Sequence, residues 1–165
     1  MVYPPNHRIV LGIDPGTART GYGVVENAGG KLTTLGYGLI EPRNRDRSAK
    51  LAAIAGEVQR VITEYNPTLG AIERLYFSKN KTTALAVAEA RGVILATLAA
   101  AGVPIIELSP ADAKAGVTGH GNADKAAVGR MVRGMLSLGE GNIIDDTLDA
   151  LALAITASYG TGMRG

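Results

Sequence analysis

Residues 8–41 read RIVLGIDPGTARTGYGVVENAGGKLTTLGYGLIE, and the architecture follows from this stretch. Residues 8–13 form a short apolar run ending at Asp14-Pro15-Gly16. Such a run reads as a buried strand, and Pro15, which cannot continue a central ladder, is expected to stop it. Residues 20–26 and 31–41 alternate in polarity with glycines interspersed, and Ala28-Gly29-Gly30 between them is a hairpin turn signal. The chain therefore opens with a three-stranded antiparallel meander.

From Asp46 the period changes. Leu51, Ile54, Val58, Val61 and Ile62 recur at helical spacing, and Asn66-Pro67 stops that helix. Residues 69–73 read as a short strand, 82–101 as a long Ala-rich helix and 103–107 as another strand. A short helix over 111–116, a Gly-rich loop and helices near 123–138 and 146–158 complete the chain. The order is βββ-α-β-α-β-α-α-α, with the first strands antiparallel and the later ones parallel through helical crossovers. With no internal repeat and no long linker, the expectation is one α/β domain over residues 8–160. Residues 1–7 read as a loose leader and 161–165 as a short tail.

Composition bounds the function. A chain of 165 residues, 46% of them hydrophobic, can bury a core of its own. Seven aromatic residues stand against 25 alanines and 22 glycines, so that core is built from small and aliphatic side chains packed closely. The absence of cysteine excludes disulfides, thiolate metal sites and Cys-based catalysis. The longest uncharged apolar run, residues 92–106, falls short of the roughly 20 residues a membrane span needs, and residues 1–7 hold no apolar signal-peptide stretch. A cytoplasmic protein is expected. The net charge is only +2; if four of the 15 acidic residues are committed to a metal, the remainder, carrying 17 basic residues, suits a polyanionic partner.

The acids are candidates for such a commitment. Asp14 and Glu73 close the first and fourth strands, and parallel neighbours would bring both to one sheet end, where open α/β sheets bind ligands. Asp146 and Asp149, three apart at the start of a helix, share one face. Four carboxylates meeting there would repel one another unless cations lay between them. Hard oxygen ligands favour Mg²⁺ or Mn²⁺. Two such ions about 3.5–4 Å apart can activate a water and stabilise the leaving oxygen of a phosphodiester. Taken singly, each acid has a structural alternative. Asp before Pro-Gly is a common turn residue. Asp145, Asp146 and Asp149 suit a helix N-terminus. Glu73 can pair with Arg74 or another base on the surface.

Together Gly12-Ile-Asp-Pro-Gly-Thr-Ala-Arg-Thr-Gly-Tyr-Gly23, Ala71-Ile-Glu-Arg74, Asn80, Ala90-Arg-Gly92, Val117-Thr-Gly-His-Gly121, Ala123-Asp-Lys125 and Asp146-Thr-Leu-Asp-Ala-Leu151 resemble the RuvC family of bacterial Holliday-junction resolvases, in order and over nearly the whole chain. The resemblance implies a ribonuclease H-like fold, with a mixed five-stranded sheet flanked by helices. It implies a homodimer that nicks two strands of a four-way DNA junction symmetrically in recombination and repair, leaving 5′-phosphate and 3′-hydroxyl ends. It also implies two Mg²⁺ ions per active site, with Mn²⁺ able to substitute, and work beside the RuvA–RuvB branch-migration complex in the bacterial cytoplasm. The family's four metal acids fall on Asp14, Glu73, Asp146 and Asp149. Asp145, about 100° away on the helix, is left out.

The family's cleft lysines fall on Lys114 and Lys125, where a cation can stabilise charge building on phosphate. Asn122 reads as an N-cap, placing Lys125 in a first turn that disfavours cations; a nearby phosphate would remove the conflict. The junction-wedging aromatic falls on Tyr76, beside Phe77, which as the only Phe also suits a core. Lys79, Asn80 and Lys81 would track phosphates, and Arg91 and His120 join the DNA-facing set. The long helix is apolar over much of its circumference, which core packing and dimerisation together would explain. Departures are the longer leader, the lack of a basic tail and Ala127 where the family often has Gln. Other readings remain. The first loop also fits an actin-like ATPase or sugar kinase, whose two domains exceed this length. A junction-binding protein without nuclease activity, or a same-fold nuclease acting on other branched DNA or structured RNA, would share much of the pattern.

Overall fold

A computed structural model of the chain describes residues 7–16, 18–43, 46–75, 81–139 and 141–160, with the backbone alone described at 81–83. Three strands, β1 (His7–Pro15), β2 (Thr20–Ala28) and β3 (Lys31–Ile40), precede α1 (Arg47–Tyr65). There follow β4 (Leu69–Glu73), α2 (Lys81–Ala100), β5 (Ile105–Leu108), α3 (Pro110–Thr118), α4 (Lys125–Met135) and α5 (Asp145–Ser158). The five strands form one sheet in the order β3-β2-β1-β4-β5, antiparallel across β3, β2 and β1 and parallel across β1, β4 and β5.

The hairpin between β2 and β3 turns on Gly29 and Gly30, both at positive φ (64° and 94°), the pairing a tight two-residue connection of this hand demands. Asp46 caps α1 by accepting from the Ala49 N–H at 2.8 Å, and Asn66, in the left-handed conformation, ends it.

Strand boundaries differ by one or two residues from those read in the sequence: β2 runs on to Ala28, β3 ends at Ile40, and β5 spans Ile105–Leu108. β1 does not stop before Pro15 but runs through it, paired with Thr20 of β2. The parallel register between β1 and β4 ends at Ile13 and Ile72, so Pro15 lies beyond β4 and its missing N–H breaks no ladder on that side. His7, assigned to the leader, is the first residue of β1, with Nε2 2.7 Å from Oε1 of Glu26 on β2.

Side-chain alternation along β1 divides the core into two layers. Ile9, Leu11 and Ile13 pack with Ile54, Val58 and Val61 of α1 and Ile94 and Leu98 of α2. Val10, facing the other way, joins Ala71 of β4 and Leu148, Leu151 and Ile155 of α5, with α3 and α4 alongside. Ten of the 14 residues of α5 are buried. The helix backbone approaches the strands so closely that a Cβ on Gly12 would run into the Ala150 carbonyl, and one on Gly21 into that of Asp146. This contact is where the glycine and alanine of the composition are used. Among the described residues, no helix is long and apolar enough to cross a membrane.

Candidate active site

Asp14 shares the face of Val10 and Gly12, and Glu73 that of Ala71, so strand alternation aims both carboxylates toward α5. Each lies one residue past the Ile13–Ile72 pair, at the carboxyl ends of adjacent parallel strands. Asp146 and Asp149 come from the first two turns of α5. The four acids line one cleft of about 370 Å³, together with Lys114 of α3 and Lys125 of α4.

The electrostatics of the cleft are those of crowded negative charge. Burial, followed by the charges of Glu73, Asp149 and Asp146, pushes Asp14 up to about 7, with Lys125 opposing. Glu73 is raised by burial and by Asp149, against the pull of Lys125 and Lys114. Asp149 is raised chiefly by burial, although the Lys125 ammonium lies 3.4 Å from its Oδ2. Lys125 is in turn held above the ordinary lysine value, chiefly by Asp149.

Among the described residues no three acids or histidines stand together as a ready ligand set. Two of the acids are turned to cations of the protein itself: Asp146 to the Arg19 guanidinium, Asp149 to Lys125. The donor chemistry nevertheless fits a hard divalent ion. Carboxylate oxygens from three elements share one partly buried cleft, and their mutual repulsion calls for more positive charge than two exposed side chains supply. Sequence reasoning missed Arg19. The available signal was its place in the turn after Asp14, at the same sheet end as the other acids.

Helix termini set the remaining geometry. No side chain caps α5 at Ile144; Asp145 and Asp146 in its first turn answer the helix dipole instead, with Asp145 exposed. The N-cap of α4 is Asp124, not Asn122: its carboxylate accepts from the Ala127 N–H at 2.7 Å. Asn122 lies inside a turn closed by the Ala123 N–H on the His120 carbonyl, which leaves Asp124 to meet the free N–H groups. Lys125 is therefore the first residue of α4, and Asp149 offsets the unfavourable dipole there. Lys114 is half-buried on α3, whose start is fixed by a capping box between Ser109 and Asp112.

Only some of the residues assigned to DNA have described side chains. Tyr76, Phe77, Lys79 and Asn80 lie outside the described residues, and so does the side chain of Lys81, the first residue of α2. His120 is exposed after α3, its N–H donating to Thr118 Oγ1, and it does not line the acid cleft. Arg91 is largely buried on α2, with Nη2 2.6 Å from Glu107 Oε2 and Nε donating to the Glu73 carbonyl at 3.3 Å.

The family model for crossover junction endodeoxyribonuclease RuvC matches residues 10–157. The chain belongs to the RuvC family. It is 43% identical over 152 residues to the RuvC of Heliobacterium modesticaldum, covering 92% of this chain and 94% of that one. It is 45% identical over 148 residues to the RuvC of Moorella thermoacetica, covering 89% of each. Among solved structures, Thermus thermophilus RuvC in complex with a Holliday junction substrate superimposes with a TM-score of 0.85 at 34% identity, covering 91% of this chain and 92% of that one. The ribonuclease H-like fold implied by the motifs is the fold observed. RuvC enzymes are nucleases that depend in general on metal ions.

Proposed function

We propose that the chain resolves four-way DNA junctions by paired, symmetric hydrolytic nicks that leave 5′-phosphate and 3′-hydroxyl ends, using two Mg²⁺ ions per active site. It acts as a homodimer beside RuvA–RuvB in the bacterial cytoplasm. The observation that carries the proposal is the gathering of Asp14, Glu73, Asp146 and Asp149, from β1, β4 and α5, in one cleft with Lys114 and Lys125. These four carboxylates are the residues to hold the metal. Mg²⁺ bound there supplies activation of a water and stabilisation of charge on the phosphate.

The protein's own groups do the rest. Lys125 and Lys114 place positive charge where the phosphate must gain negative charge, and the cleft holds them ready before substrate arrives. Arg19 and Lys125, paired with Asp146 and Asp149, keep the unfilled cleft from being uniformly negative and can turn to DNA phosphates when those carboxylates are engaged elsewhere. Tyr76, with Lys79, Asn80 and Lys81 after it, supplies the stacking surface and phosphate contacts at the junction centre, which tolerate any base sequence. His120, exposed on the loop after α3, completes the DNA-facing set, whereas Arg91 is turned to Glu107 and the Glu73 carbonyl.

The test is cleavage of a synthetic junction labelled on all four arms. With Mg²⁺ the parent cuts two opposed strands, whereas Asp14→Asn binds the junction and does not cut. Cutting by Asp14→Asn at the parent rate refutes the metal assignment. Flap, duplex and structured RNA substrates in the same assay expose a same-fold nuclease of other specificity.

A further inference from the structure

We infer that Arg91 is a positioning residue for Glu73, acting through the main chain rather than through DNA. The inference rests on the assignment of Glu73 to the metal site.

Glu73 is the last residue of β4, and its pairing partner on β5 is Leu108. The next residue, Arg74, is still tied to β5, its N–H donating to the Leu108 carbonyl at 2.7 Å. On the β1 side the register has already ended at Ile13 and Ile72. Glu73 therefore projects its carboxylate from a strand end supported on one flank only. Arg91 reaches this end from α2. Its Nε donates to the Glu73 carbonyl at 3.3 Å, and its Nη2 meets Glu107 Oε2 of β5 at 2.6 Å. One guanidinium thus ties α2, β4 and β5 together at the point where Glu73 leaves the sheet.

The contact is to the backbone oxygen of Glu73 and not to its carboxylate. It fixes where the carboxylate stands and leaves its oxygens free for a cation. The Arg91 side chain is 15% exposed, against 43% for its partner Glu107, so its donors are turned inward and not toward a nucleic acid. The strand end has room to move without this tie: a cleft of about 200 Å³ lined by Pro15, Glu73, Arg74, Arg91 and Pro110 lies beside it. Lysine cannot replace the arrangement, because one ammonium lacks the planar fork that spans a carbonyl and a carboxylate at once.

The experiment uses the full chain and the variants Arg91→Gln, Arg91→Lys and Glu107→Gln, each checked for folding by its melting curve. Mn²⁺ affinity is read by electron paramagnetic resonance without DNA, junction affinity without divalent ions over a salt series, and cleavage against Mg²⁺ concentration. Arg91→Gln is expected to weaken Mn²⁺ binding and raise the half-saturating Mg²⁺ concentration several-fold. Its cleavage at fixed Mg²⁺ falls about tenfold, while junction affinity and its salt dependence stay within twofold of the parent. Arg91→Lys restores only part of the loss. Glu107→Gln moves the metal readouts in the same direction by a smaller factor, an outcome a DNA-contacting Arg91 would not give, since removing a negative charge leaves DNA binding equal or tighter. Should Arg91→Gln fail to fold, Glu107→Gln and Arg91→Lys carry the test. Unchanged Mn²⁺ affinity in the folded variants overturns the inference, as does a tenfold loss of junction affinity with a shallower salt dependence. A parent that binds Mn²⁺ yet cuts no junction marks a failure of the proposed function, whereas the metal affinities of the variants judge Arg91 separately.

Discussion

Helix α1 rests on the sheet through the side chains of Ile54, Val58, Val61 and Ile62, whereas helix α5 adds to its side-chain packing a direct backbone contact, with Ala150 and Asp146 carbonyls against Gly12 and Gly21. The outer surface of α1 is polar, with Glu57, Arg60 and Glu64 paired at helical spacing, and such exposed pairs add little stability. Nearly all of α5 is enclosed, and its charged groups are confined to its beginning, where the acids lie. Side chains can repack; two backbones in contact cannot. The distance between Asp14 on β1 and Asp146 and Asp149 on α5 is thus set by a contact without slack. The opposite layer, free of that demand, supplies stability by ordinary hydrophobic packing.

The contrast predicts its largest effect at Gly12. A Gly12→Val side chain has nowhere to go but into the Ala150 carbonyl, and forcing α5 outward opens the core cluster around Leu151 and Ile155. The expected loss is about 4 kcal/mol or more, seen as insoluble protein or the absence of a cooperative melt. A Gly12→Ala chain melting within a degree or two of the parent would break the contrast.

On the other layer Ile54→Ala removes a buried side chain, 3% exposed, from beneath α1. Chemical denaturation should show a loss of about 2–4 kcal/mol. Because α1 carries none of the four acids, the molecules that remain folded should bind Mn²⁺ as the parent does, and equilibrium titration checks this.

Asp14 sharpens the comparison through pH. Its carboxyl is raised from 3.8 to about 7 in the folded protein by burial and by its acidic neighbours. Below pH 4 it is protonated in both states and costs nothing. Between about pH 4 and 7 the unfolded chain ionises first, so metal-free stability falls as pH rises, and above 7 the loss is complete. Asp14→Asn should abolish this part of the slope and stabilise the metal-free protein at pH 8 by on the order of 1–3 kcal/mol. Mg²⁺ should reverse the order, stabilising the parent more than the variant. Melts at pH 5 and 8, with and without Mg²⁺, read all four terms; a parent as stable at pH 8 as at pH 5 without metal counts against the crowding of charge described here.

Much of this was written in local pattern. The change from period two to period 3.6 at Asp46, the Gly29-Gly30 turn and the Asn66-Pro67 stop each act within a few residues, and each stands where the sequence puts it. Features that depend on a distant neighbour did not show. Whether Pro15 ends β1 depends on where β4 stops. Asn122 and Asp124 are both good caps, and the turn at His120–Ala123 selects the second. The ion pair of Arg19 with Asp146 joins residues 127 apart, and that of Arg91 with Glu107 exists only because α2 crosses β5. The four acids were visible singly as strand ends and a helix start. Their convergence depends on β1 and β4 being parallel neighbours, a long-range pairing that only the resemblance to a family implied.

The smallest predicted effect is a gain. Gly56 lies in the exposed middle of α1, and a Cβ added there meets nothing within 4 Å. Alanine at this position has the same helical backbone to adopt and a less flexible unfolded chain to leave. Gly56→Ala should therefore stabilise the protein by about 0.5–1 kcal/mol, a rise in melting temperature of roughly 2–4 °C. Cleavage should be unaltered, since α1 touches the acid cleft nowhere along its lining. The same one-carbon addition that wrecks the α5 contact at Gly12 is thus expected to improve the fold at Gly56. The sign of the difference between the two alanine variants, measured in one melting experiment, separates a layer held by side chains from a layer in which backbone also packs on backbone.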